Sequence, residues 1–410
     1  MRTAVIGGGW AGIAAAVELT GSGHPVTLFE AGRVLGGRAR SVSLDGRTLD
    51  NGQHILLGAY RDTLDLMRRV GADPEQLFER QPLQVIDRQG FRLSLPKLPA
   101  PLNLAWGLLS SPSVSWREKI RTAWWMEGIK RRGFQLPHDM SVAAWLDEAG
   151  QTGTLRRHLW EPLCLAALNT PVAQASAQLF ANVLRDSLGS SRRQDTDLLL
   201  PRVDFGQLLP EPAGRWLQAR NADVRLGCRV RQLAADTDCV VIDGERFAAA
   251  ILATAPQHVA SLWPACATDY AFEPIATIYL QFSATTALPF PLLNLLGRHG
   301  QWVVDRGNGL LACVVSGHGD WEALPDDELA ATLAGELDLG EAAAWHKVIR
   351  EKRATFSARP GIRRPACRTS HPRIFLAGDY TWDDYPATLE GAVRSGRRAA
   401  RQAMEIAPAA

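Results

Sequence analysis

The chain reads as an α/β protein: a dinucleotide-binding domain on a parallel sheet, interrupted by a discontinuous α+β domain. Three observations predict this. A strand, glycine turn, helix, strand and acid follow one another at the start, and a strand, loop and helix close the chain. Between them, β and α patterns alternate except for a largely helical insertion and a run of antiparallel-type strands.

The opening unit carries the most information. Ala4 to Ile6 is a short apolar run, and Gly7, Gly9 and Gly12 follow in G-x-G-x-x-G spacing. Ala11 to Leu19 has the small residues of a helix packed tightly on a strand, and Val26 to Phe29 is a second apolar run ending at Glu30. Gly7 permits the turn, Gly9 lets backbone N–H groups reach a pyrophosphate, and Gly12 lets helix and strand approach. The helix N-terminus attracts phosphate. Glu30 is placed to accept from a ribose hydroxyl, and its charge disfavours a 2′-phosphate. The beginning of the chain has some character of a signal peptide, but the adjacent glycines and Glu18 interrupt the apolar stretch a signal needs.

Length and composition narrow the class. The 410 residues suffice for two or three domains, and 46% hydrophobic residues support a sizeable core. A net charge of +2 argues against nucleic acid as a partner. Six scattered cysteines (164, 228, 239, 266, 313 and 367) form no C-x-x-C pair, which suits reduced thiols in a cytoplasmic protein and offers no metal framework. No apolar run is long enough to span a bilayer. Ile406 to Ala410 are expected to fray.

After Glu30, Gly36-Gly37 bring backbone near the cofactor, and Arg38 can meet a phosphate. Residues 40 to 49 suggest a hairpin turning at Asp45-Gly46, and a helix is expected to run to about Val70. The stretch Asp50 to Tyr60 crowds polar and turn-forming residues that need partners, either a ligand or the next helix. Residues 83 to 95 read as a second hairpin.

From Arg92 to Arg132, eight Lys/Arg (92, 97, 117, 119, 121, 130, 131 and 132) face Glu118 and Glu127. Trp106, Trp116, Trp124 and Trp125 interleave with leucines and Ile120, and proline and serine break the run near 110 to 113. This predicts two helices, apolar on one side and basic on the other. They suit a membrane interface or a lid whose basic face is solvated, and the sequence leaves both readings open. Ser141 is an N-cap for a helix to Ala149. Helical patterns follow from Thr152 to Cys164 and from Ala173 to Leu188.

Beyond the insertion, Asp223 to Leu233 carries two short strand patterns, and Phe247 to Ala253 is an apolar strand. Pro274 to Phe282, Trp302 to Asp305 and Leu310 to Val315 predict an antiparallel sheet flooring a substrate site. Pro325 starts a helix to Leu337. Ile374 to Leu376, Gly378-Asp379 and a helix from Thr388 to Met404 close the chain.

The segment NGQHILLGAY (51–60) resembles one in plant-type carotene desaturases, and the N-terminus is similar to that flavoprotein group. With both terminal motifs, the chain resembles a glutathione-reductase-type (Rossmann-like) FAD fold throughout its length. The resemblance implies that Val230 offers its backbone to adenine and Asp379 accepts from the sugar-alcohol chain of FAD. The helix beginning at Leu389 would point at the flavin O2. It implies an FAD-binding domain from 1–82, 201–272 and 355–410, and a substrate domain from 83–200 and 273–354.

Three classes share the fold: isoprenoid oxidoreductases, amine oxidases, and GDP-dissociation inhibitors, which bind no flavin. Amine oxidases place an aromatic residue where this chain has Thr388. The inhibitors leave the phosphate glycines, Glu30 and Asp379 unexplained. GGGWAGIAAA, LGGRARS, LDNGQHILLGAYRDTLDLMRRVG, WEPLCLAALNTP and FLAGDYTWDDYPATLEGAVRSG are similar to the bacterial hydroxysqualene dehydroxylases, also called squalene-associated FAD-dependent desaturases.

That resemblance implies reductive dehydroxylation of a long-chain isoprenoid to squalene, a hopanoid precursor. Carotene-type desaturation is the alternative and amine oxidation the second. His54 is the first candidate proton donor, with Gln53 and the loop residues Asp383 and Asp384 behind it. No second dinucleotide fingerprint names the electron donor. Gly317-His-Gly319 lacks the third glycine and the helix. The protein is expected in the cytoplasm, peripheral on the inner face of the membrane if the insertion meets lipid.

Overall fold

A computed structural model describes residues 2–44 and 46–406. Asp45 of the first hairpin turn and residues 407–410 of the expected frayed end therefore lie outside the described residues.

Five parallel strands form the first sheet, in spatial order Asp223–Arg225, Val26–Phe29, Thr3–Ile6, Ala249–Leu252 and Ile374–Leu376. Four of them are apolar and buried on both faces, as a covered parallel sheet requires. Alternate residues divide between the faces. Val5, Leu28, Ile251 and Phe375 meet the helices Trp10–Gly21 and Leu389–Met404. Ala4, Ile6, Ala250 and Leu252 turn toward a small antiparallel sheet of Leu233–Ala235, Val240–Ile242 and Glu245–Phe247. The two helices pack backbone to backbone: a Cβ on Gly396 would lie 2.0 Å from the Ala11 carbonyl oxygen.

The expected strand Phe247 to Ala253 divides at Ala248. Phe247 ends a strand paired with Val240, and Ala249 begins one paired with Thr3. Both are apolar, so composition alone hides the corner between two sheets.

The second large sheet is antiparallel, in order Leu292–Asn294, Trp302–Asp305, Leu310–Ser316, Phe272–Gln281 and Trp345–Phe356. Helix Asp326–Leu337 covers one face through Leu329 and Leu333 against Ile278, Leu280 and Cys313. The other face receives the first hairpin, Ser41–Leu44 with Arg47–Asp50, where Leu49 packs on Tyr279. Sequence reading missed Trp345–Phe356, whose charges mask its pattern. It also missed Leu198–Pro201, which pairs with Leu56–Leu57 and Phe78–Gln81.

In the insertion, helices Leu102–Ser110 and Trp116–Arg131 follow the hairpin Gln84–Ile86 with Arg92–Ser94. Ser141 caps Val142–Glu148 by accepting from the Ala144 amide. The helix expected from Thr152 contains a π-helical stretch, Arg156–Trp160, and continues as Glu161–Leu168. Among the described residues no helix is long and apolar enough to cross a membrane.

Candidate active site

The fingerprint glycines divide their work. Gly7 has φ +110°, and a Cβ there would lie 2.6 Å from the Ala253 carbonyl oxygen. A Cβ on Gly12 would lie 1.8 Å from the Gly7 carbonyl oxygen. Packing therefore demands both. At Gly9 the nearest atom to such a Cβ is the Gly37 Cα, at 3.9 Å. The protein leaves that space open, which suits a ligand lying over the backbone.

No side chain caps helix Trp10–Gly21, so its first-turn amides are available to an anion. The second glycine pair closes on the same place: the Gly36 amide donates to the Gly8 carbonyl at 2.8 Å. Glu30 lies past the end of the second strand. Its two carboxylate oxygens accept from the Gly8 and Gly32 amides, each at 2.6 Å, and retain lone pairs for a ribose hydroxyl.

The C-terminal motif meets this cradle. Arg38 donates to Asp379 at 2.7 Å and to the Ala354 carbonyl at 2.5 Å, and the neighbouring carboxylate raises its pKa further. Two residues expected at different parts of the cofactor thus hold each other here. Gly378, φ +155°, is required by its neighbour, because a Cβ would lie 2.3 Å from the Tyr380 ring. Thr388 caps the last helix through the Gly391 amide at 3.1 Å, and no aromatic ring occupies its position.

Gln53 Oε1 and the Tyr380 hydroxyl are buried without a protein partner. Val230 is buried and makes no backbone hydrogen bond to the described residues. The open cradle, uncapped amides and unpartnered polar atoms fit a dinucleotide-sized flavin.

His54 is held from several sides. Its Nδ1 bonds the Gly52 carbonyl at 2.8 Å, and its ring lies on Phe205 at 4.9 Å between centroids. The Gln53 amide donates to Thr277 Oγ1 at 3.2 Å, fixing the loop on the antiparallel sheet. Burial pushes the His54 pKa below its ordinary value. The Gly52 bond opposes this and the Arg38 charge adds to it. A carbonyl accepts only, so Nδ1 carries a proton and donates this bond. Gln53 Nε2 donates to the His54 carbonyl at 3.1 Å. Asp383 and Asp384 are exposed and line a cleft of ≈ 430 Å³ with Arg364, Asn182 and Gln178.

Sequence reasoning missed Glu390. Buried in the last helix, it accepts from the Asp62 and Thr63 amides at 3.1 and 2.9 Å and from Thr63 Oγ1 at 2.7 Å. It thereby caps helix Arg61–Arg69, whose own N-cap residue, Tyr60, makes no side-chain cap. Burial raises its pKa. The signal was a helix start lacking Ser, Thr, Asp or Asn, which implies a cap from elsewhere.

This arrangement defines a flavin-dependent oxidoreductase. The chain belongs to the flavin containing amine oxidoreductase family, whose model matches residues 10–404. Within it, the chain is similar to the hydroxysqualene dehydroxylase of Rhodopseudomonas palustris. They are 31% identical over 420 residues, covering 97% of this chain and 96% of the relative. Zeta-carotene desaturase of Synechocystis is 25% identical over 481 residues, covering 98% and 96%. The solved structure of cyclohexylamine oxidase from Brevibacterium oxydans superposes with a TM-score of 0.68 at 17% identity, covering 99% of each chain, which supports the fold.

Proposed function

We propose that this protein binds FAD and reductively removes the hydroxyl group of hydroxysqualene, giving squalene, a hopanoid precursor. The observation that carries the reading is the 31% identity to a hydroxysqualene dehydroxylase across both flavin-facing motifs and the insertion, against 25% for a carotene desaturase. Thr388, spent on capping a helix, leaves out the aromatic residue that amine oxidases place there.

The balance is C–OH plus hydride plus proton to C–H plus water. Bound reduced FAD supplies the hydride. The residues that would hold it are Gly7, Gly9, Gly12, Glu30, Gly37, Arg38, Val230, Gly378, Asp379 and Leu389. The helix N-terminus at Leu389 favours negative charge on a group placed there. His54 is the candidate proton donor to the leaving hydroxyl, which departs as water, and the Phe205 ring packs against the imidazole. An apolar cavity over the ring would exclude water that recaptures an allylic cation. The substrate is an isoprenoid alcohol that partitions into lipid, so the reading includes a peripheral position on the inner face of the cytoplasmic membrane.

The test is anaerobic. Reduced holoenzyme mixed with hydroxysqualene should reoxidise and yield squalene, with one deuterium from flavin deuterated at N5. His54→Ala should slow that reoxidation while FAD stays bound. Failure of hydroxysqualene to reoxidise the flavin, or desaturation of phytoene, would overturn the assignment.

A further inference from the structure

Two helices of the insertion pack apolar residues on the core, Trp125, Met126 and Ile129 in one and Leu104 and Leu108 in the other, and carry a second apolar ridge outside. A surface helix ordinarily turns its apolar stripe to the core and its charges to water. In Trp116–Arg131 the buried residues include Glu118, Lys119 and Thr122, none more than 6% exposed. Trp116, Ile120 and Trp124, on one ridge at i, i+4 and i+8, are 65, 56 and 72% exposed. Helix Leu102–Ser110 repeats the pattern. It buries Asn103 and Gly107 and exposes Leu102, Trp106 and Leu109 at i, i+4 and i+7.

We infer that these two helices form a rigid platform that docks the protein on an anionic lipid bilayer. The inward polar groups bolt the platform down. Glu118 accepts from the Leu155 amide at 2.6 Å, Thr122 donates to Gln151 at 2.7 Å, and Lys119 donates to the Leu109 carbonyl at 2.6 Å. Lys119 thereby ties the two helices together. Beneath them Trp125 packs on Trp145 and Trp160, with ring centroids 5.0 and 5.3 Å away. The exposed ridges are thus held in place by the fold rather than left by a frayed segment.

Charge selects the occupant. Arg117 and Arg121 sit one residue round from Trp116 and Ile120, and exposed Lys130, Arg131 and Arg132 follow. Glu127, exposed on the same helix, is already paired with Arg131 at 2.9 Å. A second copy docked by two-fold symmetry would bring this same cationic rim against itself. Lipid phosphates would neutralise it while tryptophan rings lie at headgroup depth. The inference rests on the proposed chemistry only for what docking serves, access to a lipid-dissolved substrate. Lipid binding is measured without turnover.

Flavin-loaded protein is sedimented with vesicles of phosphatidylcholine alone and of phosphatidylcholine with phosphatidylglycerol. The wild type should bind the anionic vesicles, and brominated acyl chains should quench its tryptophan emission. The triple variant Trp106→Gln, Trp116→Gln, Trp124→Gln should lose roughly tenfold or more in partitioning and lose the quenching. Its melting temperature and flavin content check that it is folded. Arg117→Glu with Arg121→Glu should weaken anionic binding by about tenfold and spare what binding phosphatidylcholine supports.

The inference falls if the wild type stays in the supernatant with both vesicles, or if the triple variant sediments like the wild type. It also falls if the ridges instead hold a dimer that the triple variant dissociates. A protein that sediments but leaves hydroxysqualene unchanged keeps the platform and loses the proposed chemistry.

Discussion

Helix Trp10–Gly21 and helix Trp116–Arg131 solve opposite problems. The first is buried at nine of its twelve positions, so its small residues must suit contact on every side. The second buries Glu118, Lys119 and Thr122 beside Ile129 and Trp125, and leaves Trp116, Ile120 and Trp124 outside. Reading the first needs only the rule that apolar residues go inside. Applied to the second, the same rule accounts for Trp125 and Ile129 and fails for Trp116, Ile120 and Trp124. An apolar stripe states that a face will be covered, and the tertiary contacts state whether protein covers it.

The largest expected effect tests how crowded the first helix is. Gly12→Val places its Cβ 1.8 Å from a backbone carbonyl and should yield no folded protein. Gly9→Val meets no protein atom closer than 3.9 Å at Cβ, so it should fold, melt normally and purify colourless. Wild-type flavin content in Gly9→Val would show that the fingerprint does not hold the cofactor.

The neighbouring tryptophans sharpen the second helix. Trp125→Ala removes a ring from the Trp145 and Trp160 stack and should cost about 3 kcal/mol in urea unfolding. Trp124→Ala should change stability by no more than about 0.5 kcal/mol. Equal costs would mean that the ridge is packed after all. A paired vesicle experiment that mutates both would mix packing with lipid contact.

Glu118→Ala leaves the buried Leu155 amide without its acceptor and should cost about 1–3 kcal/mol. No loss would show that the polar bolts do not hold the platform.

A smaller effect follows from Asp50, under the first hairpin. Burial raises its pKa to about 6 from 3.8, against the pull of the Phe205 amide and of Arg306 at 3.3 Å. The folded state therefore binds this proton more tightly than the unfolded chain. The resulting stability is fully present below about 3.8 and is lost as pH rises through about 6. Asp50→Asn should flatten that slope, at most about 1.4 kcal/mol per pH unit between those values. An unchanged slope in chemical denaturation across that window would remove Asp50 as its source.

Much of the fold was legible because its signals are local. The glycines, Glu30 and the strand and helix of the last motif lie in short stretches whose geometry depends on neighbours in sequence. What escaped notice depends on distant partners. The corner at Ala248 joins two sheets, the cap of helix Arg61–Arg69 comes from Glu390, and the face of Thr277 becomes meaningful only with Gln53 bonded to it.

By itself, the sequence determined that a dinucleotide-type cradle exists, which residues build its backbone, and that tryptophan and basic residues gather in one insertion. Glycine spacing and apolar periodicity act through backbone sterics over a few residues, so no three-dimensional context is needed to read them. Only the tertiary structure decided the bond from His54 to the Gly52 carbonyl, the pairing of Arg38 with Asp379, and which apolar residues of the insertion helices face outward. Each is a balance of desolvation against a particular partner, and partners far apart in the chain are chosen by packing.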